Sequence, residues 1–161
     1  MKRTLIYMYC LVILGIAAAC QGDDVVHPDD TNTQLQQTYD NDRYNSILDD
    51  IQKGTFESDS YWINSIAVVD NLLQIEVNYS GGCELHEFEL IWPDAIIAIF
   101  PPEVGVILTH DANNDTCEAL ITETLEFDLD ENSVGLDDDD YAVMKISVVN
   151  ASDPSQVVSN R

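Results

Sequence analysis

The chain has 161 residues, thirty of them acidic and six basic, for a formal charge of −24 at neutral pH. A surface this acidic repels phosphate backbones and anionic headgroups, whose binding needs clustered Lys and Arg, so nucleic-acid binding is excluded. The length suits a single domain.

The first nineteen residues read as a signal. Lys2 and Arg3 precede an apolar run from Leu5 to Ala19, which ends in three alanines before Cys20. That run is shorter than the ~20 residues a spanning helix needs and has no basic stop-transfer flank, so residues 1–19 are expected to be removed. Cleavage leaves Cys20 as the first residue. The segment resembles the signal of bacterial lipoproteins, in which that cysteine receives lipid chains, palmitate among them, and holds the protein on a membrane. It departs from the pattern at Ala17, where such signals usually carry Leu. The resemblance implies an exported outer-membrane lipoprotein with Cys20 as its lipidation site. Without the signal, four basic residues (Arg43, Lys53, Lys145, Arg161) face thirty acids, a charge of −26.

Residues 20–41 combine the lipidated cysteine with a flexible acidic tether poor in large apolar side chains. Its opening, Cys20-Gln21-Gly22-Asp23-Asp24, is similar to the short acidic export signal of surface-exposed lipoproteins in the Bacteroidota; a solvated linker that begins with acids reads equally well. Residues 42–54 form a short amphipathic helix: Tyr44, Ile47, Leu48 and Ile51 fall at i, i+3, i+4 and i+7, with Asp42 as N-cap and Gly54 as the stop.

From Tyr61 onward the period is two. In 72–79, Leu73, Ile75, Val77 and Tyr79 alternate with polar residues, which gives a buried face and a wet one. Ser80-Gly81-Gly82 turns the chain into 83–92, where His86, Phe88, Leu90 and Trp92 share a face. Further strands are expected at 95–100, 104–110, 117–129 and 141–150, and an acidic loop at 130–140 separates the last two. About seven strands without a crossover-length helix predict an all-β fold. The expected domain, residues 55–161, is a single antiparallel β-sandwich, immunoglobulin-like or similar.

Four residues of reactive type, Cys83, His86, His110 and Cys117, stand at strand starts and ends. Three readings compete. Two cysteines in an exported domain pair as a disulfide, Cys83–Cys117. The four could instead bind zinc or copper. A cysteine nucleophile with a histidine base is the third, although the acidic surroundings would raise the thiol pKa. Asp111, Asn113 and Asp115 match the first three positions of an EF-hand-like calcium loop, but Thr116 replaces its glycine and no helices flank it. The same spacing suits a polar turn, so calcium stays open as a cofactor. Trp62, beside Tyr61, is the candidate for an exposed aromatic that stacks on a sugar. No nucleophile elbow, zinc-protease motif or phosphate loop is present, and no activity is assigned.

The Gly81-Gly82-Cys83-x-x-His86-x-Phe88 strand, Pro101-Pro102 and the run from His110 to Cys117 look like small lipoproteins of the Bacteroidota with no known activity. The expected function is a lipid-anchored, non-enzymatic module that presents loops to a protein or glycan partner. The alternative is a divalent-metal-binding accessory lipoprotein, carrying calcium at Asp111–Asp115 or zinc or copper at the Cys/His group.

Overall fold

The computed structural model describes residues 33–94, 100–129, 141 and 143–161, which belong to one compact unit, Thr31–Arg161. Cys20, the signal, the first part of the tether, all but Phe100 of the strand expected at 95–100, and the acidic loop lie outside the described residues.

Eight strands and one helix follow in the order β1 (Thr33–Tyr39), α1 (Asn41–Lys53), β2 (Tyr61–Val69), β3 (Leu72–Gly81), β4 (His86–Trp92), β5 (Glu103–Asp111), β6 (Ala119–Asp128), β7 (Lys145–Asn150) and β8 (Val157–Ser159). One sheet has the order β1-β4-β5-β7-β8 and the other β2-β3-β6. The described fold is all-β apart from α1 and the helical residues Tyr141 and Val143, so the strand expected at 141–150 begins only at Lys145. The expected purely antiparallel order holds for β2-β3-β6 but not for the larger sheet, where β1 pairs with β4 and β5 with β7 in parallel. Alternation of apolar and polar residues fixes which face a side chain takes and is blind to strand direction. Parallel neighbours need an intervening excursion. Here α1 and the β2–β3 hairpin lie between β1 and β4, and β6 lies between β5 and β7.

The inner faces of both sheets meet in one cluster, in which Ile75 and Val77 of β3, Phe88 and Leu90 of β4, Val106 and Leu108 of β5 and Ile146 and Val148 of β7 are buried. Strand β2 contributes Ile63 and Ile66, three residues apart, because its register shifts between Ile63 and Ser65. That bulge puts Ile66 back on the core side. Asp70 and Asn71 turn β2 into β3, both with positive φ (48° and 61°). Two such residues in a row form the tight hairpin turn that short polar side chains tolerate.

Helix α1 lies on the outer face of the larger sheet. Ile47 and Ile51 pack on Ile91, Ile107 and Ala151, which explains why β4 and β5 carry consecutive apolar residues. Asp40, two residues before the expected cap, accepts from Arg43 N (3.0 Å), and Gly54 closes the helix in the left-handed region (φ 68°). Strand β1 falls within the stretch read as a tether. Its sequence TQLQQTY has few apolar residues, so no period signals it. The ladder to β4 holds it, with Thr38 Oγ1 donating to Glu89 Oε1 (2.6 Å) and Gln37 Nε2 to Asp128 O (3.1 Å). Strand β8 is three residues long and also went unread.

Across the opposite side of the structure, side-chain amides join the sheets. Gln156 Oε1 accepts from Ile63 N (3.0 Å) while its Nε2 donates to Ile63 O (3.1 Å), as a neighbouring strand would. Asn150 Nδ2 donates to Tyr61 O (3.0 Å) and to Gln156 Oε1 (2.8 Å). Replacing Gln156 by Ala is expected to lower stability by about 1–3 kcal/mol, the cost of leaving such partners unpaired. Urea unfolding measures it, and an unchanged midpoint would show that the amide bridge contributes nothing.

Candidate functional site

Three connections converge at one end of the sheets: the segment entering β2, the β3–β4 turn and the β5–β6 connection. Asp115, on the last of these, is their common acceptor. Its Oδ2 receives the backbone N–H groups of Gly82 (2.8 Å), Cys83 (2.8 Å) and Glu84 (3.0 Å), and its Oδ1 receives that of Cys117 (2.8 Å). Successive N–H groups that point to one side make an anion-binding nest, filled here by the chain's own carboxylate. The amides of Glu84, Cys117 and Cys83, with a further contribution from His86, hold the Asp115 carboxyl well below the usual carboxylate range. Two glycines make this approach feasible. Gly82 has φ +114°, a conformation L side chains rarely adopt. A Cβ on Gly81 would overlap the His86 ring and lie 3.0 Å from Asp115 Oδ2.

His86 Nε2 sits 3.2 Å from Asp115 Oδ2, and these side chains are 1 % and 0 % exposed. The other nitrogen, Nδ1, lies 2.8 Å from His110 Nε2. The rings are nearly parallel, with centroids 5.1 Å apart, and His110 stacks in turn on Phe88 at 4.3 Å. His110 Nδ1 faces the carbonyl of Asp59 at 3.3 Å. Burial of the His110 ring, opposed by the Asp59 carbonyl, lowers its pKa from 6.5 to about 4. The segment before β2 is tied to the same strand: Ser58 Oγ accepts from His110 N (3.0 Å) and donates to His110 O (3.1 Å), and Asp59 Oδ2 accepts from Ala112 N (2.7 Å). Outside this cluster, a disulfide joins Cys83 to Cys117, with Cα atoms 5.9 Å apart.

The expected residues thus gather, with their polar atoms engaged by one another and by the backbone. The two cysteines are bonded to each other. Cys83, Asp115 and Cys117 present ligand-type atoms within 4.8 Å of one another among the described residues, but paired sulfurs are poor ligands and the carboxylate is occupied by amide donors. His86 and His110 point their nitrogens at each other. The calcium-loop spacing is a turn: Asp111 Oδ1 accepts from Asn113 N (2.8 Å), Asn113 Nδ2 donates to Leu85 O (2.7 Å), and Asn113 and Asn114 have φ of 51° and 60°. As arranged, the cluster offers no free nucleophile. Ser58 Oγ is engaged with backbone atoms, and the Tyr61 hydroxyl donates to Leu108 O while burial raises its pKa.

Trp62 lies away from the cluster, on the outer face of β2-β3-β6, and is 54 % exposed. It stands opposite Asn78, which stands opposite Thr122, so an aromatic, an amide and a hydroxyl form a row across the three strands. Asn64 Nδ2 bridges Asn78 Oδ1 (2.9 Å) and Glu76 Oε1 (3.0 Å) beside it. The three strands contain no Lys or Arg. Leu120, opposite Ser80 on the same face, is also exposed. Sequence reasoning missed Asp59, which carries no local signal, and the role of Asp115. The consecutive glycines before Cys83 were the available hint of a backbone nest.

No protein-family model matches the chain, and no curated protein matches it in sequence. Three solved structures are similar in part: a Bacteroides vulgatus protein of unknown function, DUF1344 (14% identity, TM-score 0.47, 79% of this chain and 54% of that one), a toxin-related protein from Parabacteroides distasonis (19%, 0.46, 77% and 59%), and a NigD-like immunity protein from Bacteroides caccae (18%, 0.43, 79% and 57%). The chain spans little more than half the length of each.

Replacing both Cys83 and Cys117 by Ser should destabilise the domain by about 3–4 kcal/mol, the chain-entropy value for a loop of this length. An unchanged urea midpoint would contradict it. Gly81→Ala should break the His86–Asp115 contact and lower the melting temperature. A variant as stable as the parent, with the His86 ring unmoved by NMR, would show that the close approach is not required.

Proposed function

We propose that the chain is a non-enzymatic interaction module: a single two-sheet sandwich, lipid-anchored through Cys20 to the outer membrane, that meets a protein or glycan partner. The observation that carries the reading is Trp62, a half-exposed aromatic ring on the outer face of β2-β3-β6 with amide and hydroxyl residues in line beside it. An exposed ring flanked by fixed hydrogen-bonding groups suits a sugar face or a partner's apolar anchor. The absence of basic residues from these strands disfavours anionic ligands. The exposed aromatic therefore lies on a sheet face and not on a loop. Of the residues of reactive type, the two histidines are buried and the two cysteines are bonded to each other, and together they hold the frame that carries this face.

The signal-like start and Cys20 support membrane attachment. Full-length protein is expected in the membrane fraction, and Cys20→Ser is expected to release it; a variant that stays attached would overturn the anchor. Trp62 also provides its own probe, because Trp92 is buried in the core. Titration of the domain with neutral oligosaccharides should perturb the exposed tryptophan's fluorescence. Trp62→Ala should weaken that binding by about two- to tenfold, the range of an exposed aromatic stacking contact. An unaltered affinity in that variant would remove the face from the account.

A further inference from the structure

The hydrogen-bonded chain from Asp59 through His110 and His86 to Asp115 does not balance with two neutral imidazoles. Three contacts need a hydrogen each: His110 Nδ1 to the Asp59 carbonyl, His86 Nδ1 with His110 Nε2, and His86 Nε2 to the Asp115 carboxylate. The carbonyl and the ionised carboxylate are acceptors only, and a neutral imidazole carries one N–H, so two neutral rings supply two hydrogens. The third contact requires one added proton. We propose that His86 and His110 hold one shared proton, and that the number of protons on the pair (none, one or two) sets how firmly this end of the domain is latched.

With one proton, all three contacts form: His86 donates from both nitrogens, to Asp115 and to His110, and His110 donates to Asp59. With none, one contact is lost. The weakest is the longest, 3.3 Å between His110 and the Asp59 carbonyl, and its loss loosens the segment entering β2. With two, His86 Nδ1–H meets His110 Nε2–H, the inter-ring bond cannot form, and one ring must move. Burial first, and the facing His86 ring after it, lower the His110 pKa to about 4, so His110 resists a proton of its own.

Among the described residues, the groups around the pair are these. The charged neighbours are the carboxylates of Asp59 and Asp111 beside His110 and of Asp115 beside His86. The ring neighbours from the other strands are Tyr61 of β2, Tyr79 of β3 and Phe88 of β4. Burial raises the Tyr79 pKa to about 12, and its hydroxyl donates to Glu123 Oε2 at 2.6 Å, so it stays neutral over this range; Tyr61 is raised further by burial. The sign follows. In the unfolded chain His110 is protonated below about 6.5, whereas in the fold it stays neutral until about 4. Between those values the unfolded state binds more protons, so stability falls as pH falls through that window.

The test is solution NMR of the oxidised domain with 15N-labelled histidine. The proposal expects a through-hydrogen-bond nitrogen–nitrogen coupling between His86 Nδ1 and His110 Nε2, with His86 carrying hydrogen on both nitrogens, and loss of that coupling as pH is brought down to about 4. Two rings that titrate independently without such a coupling would overturn it. As a second measurement, urea stability of the parent should decrease from pH 6.5 to 4, and His110→Phe, which keeps a ring stacked on Phe88, should flatten that slope. An equal slope in the folded variant would also overturn the proposal. If the variant fails to fold, the coupling in the parent decides.

Discussion

A single carboxylate, that of Asp115, organises the end of the molecule where the sequence concentrates its reactive residues. It collects the backbone N–H groups of Gly82, Cys83, Glu84 and Cys117 and faces one nitrogen of His86. Hydrogen bonds to an ionised acceptor are stronger than those between neutral groups. Without that acceptor, four amides and a buried ring nitrogen would lose a partner together. Both half-cystines donate to this one carboxylate, so the disulfide and the nest fix the same two connections by independent means. The arrangement also explains the glycines: one must reach a left-handed backbone, and the other must leave room for a ring.

Beyond that end, the two sheets are joined by different chemistry on each side. Amide side chains of Asn150 and Gln156 bridge β2 to the β7–β8 region, and β1 closes the side near β6 through Gln37 and through Thr33, which donates to Glu123 Oε2 at 2.8 Å. Charge is distributed unevenly over this frame. Arg43 pairs with Glu89 and Lys53 with Asp49, on the helix and the larger sheet, and Lys145 lies 3.9 Å from Glu103. The outer face of the smaller sheet carries acids, amides, hydroxyls, the exposed Leu120 and one outward tryptophan. A partner reaching that face meets no positive charge, which is why the reading favours neutral or apolar recognition there.

How much of this could be read in advance depended on the physical origin of each feature. Strands such as β3 were legible because Leu73, Ile75, Val77 and Tyr79 alternate along a face that is half buried. The helix was legible because Ile47 and Ile51 recur at its period, although its cap fell on Asp40 and not Asp42, since both aspartates can cap and tertiary position chose between them. Strand β1 was not legible: its stability comes from pairing with β4 and from side-chain bonds to β6, neither of which leaves a local hydrophobic pattern. Strand direction was equally hidden, because period-two alternation is identical in parallel and antiparallel sheets. Within the site, Cys83 and Cys117 were paired by compartment reasoning. Asp115, by contrast, stands in a spacing that suits both a polar turn and the first oxygens of a calcium loop. In the structure its carboxylate is an anion for backbone donors. Spacing alone cannot separate these roles, since each needs an ionised oxygen in a tight turn.

Amide hydrogen exchange on the oxidised domain tests the central claim most directly. Gly82, Cys83 and Glu84 are exposed residues in a turn, and their N–H groups would exchange rapidly if they faced water. The account predicts that all three, with Cys117, are protected, and that Asp115→Asn strips protection from the four together while the β3–β6 ladder stays protected. Exchange of the turn amides at the rate of an unstructured peptide in the parent protein would contradict it, because the carboxylate would then not be the acceptor on which this end of the fold depends.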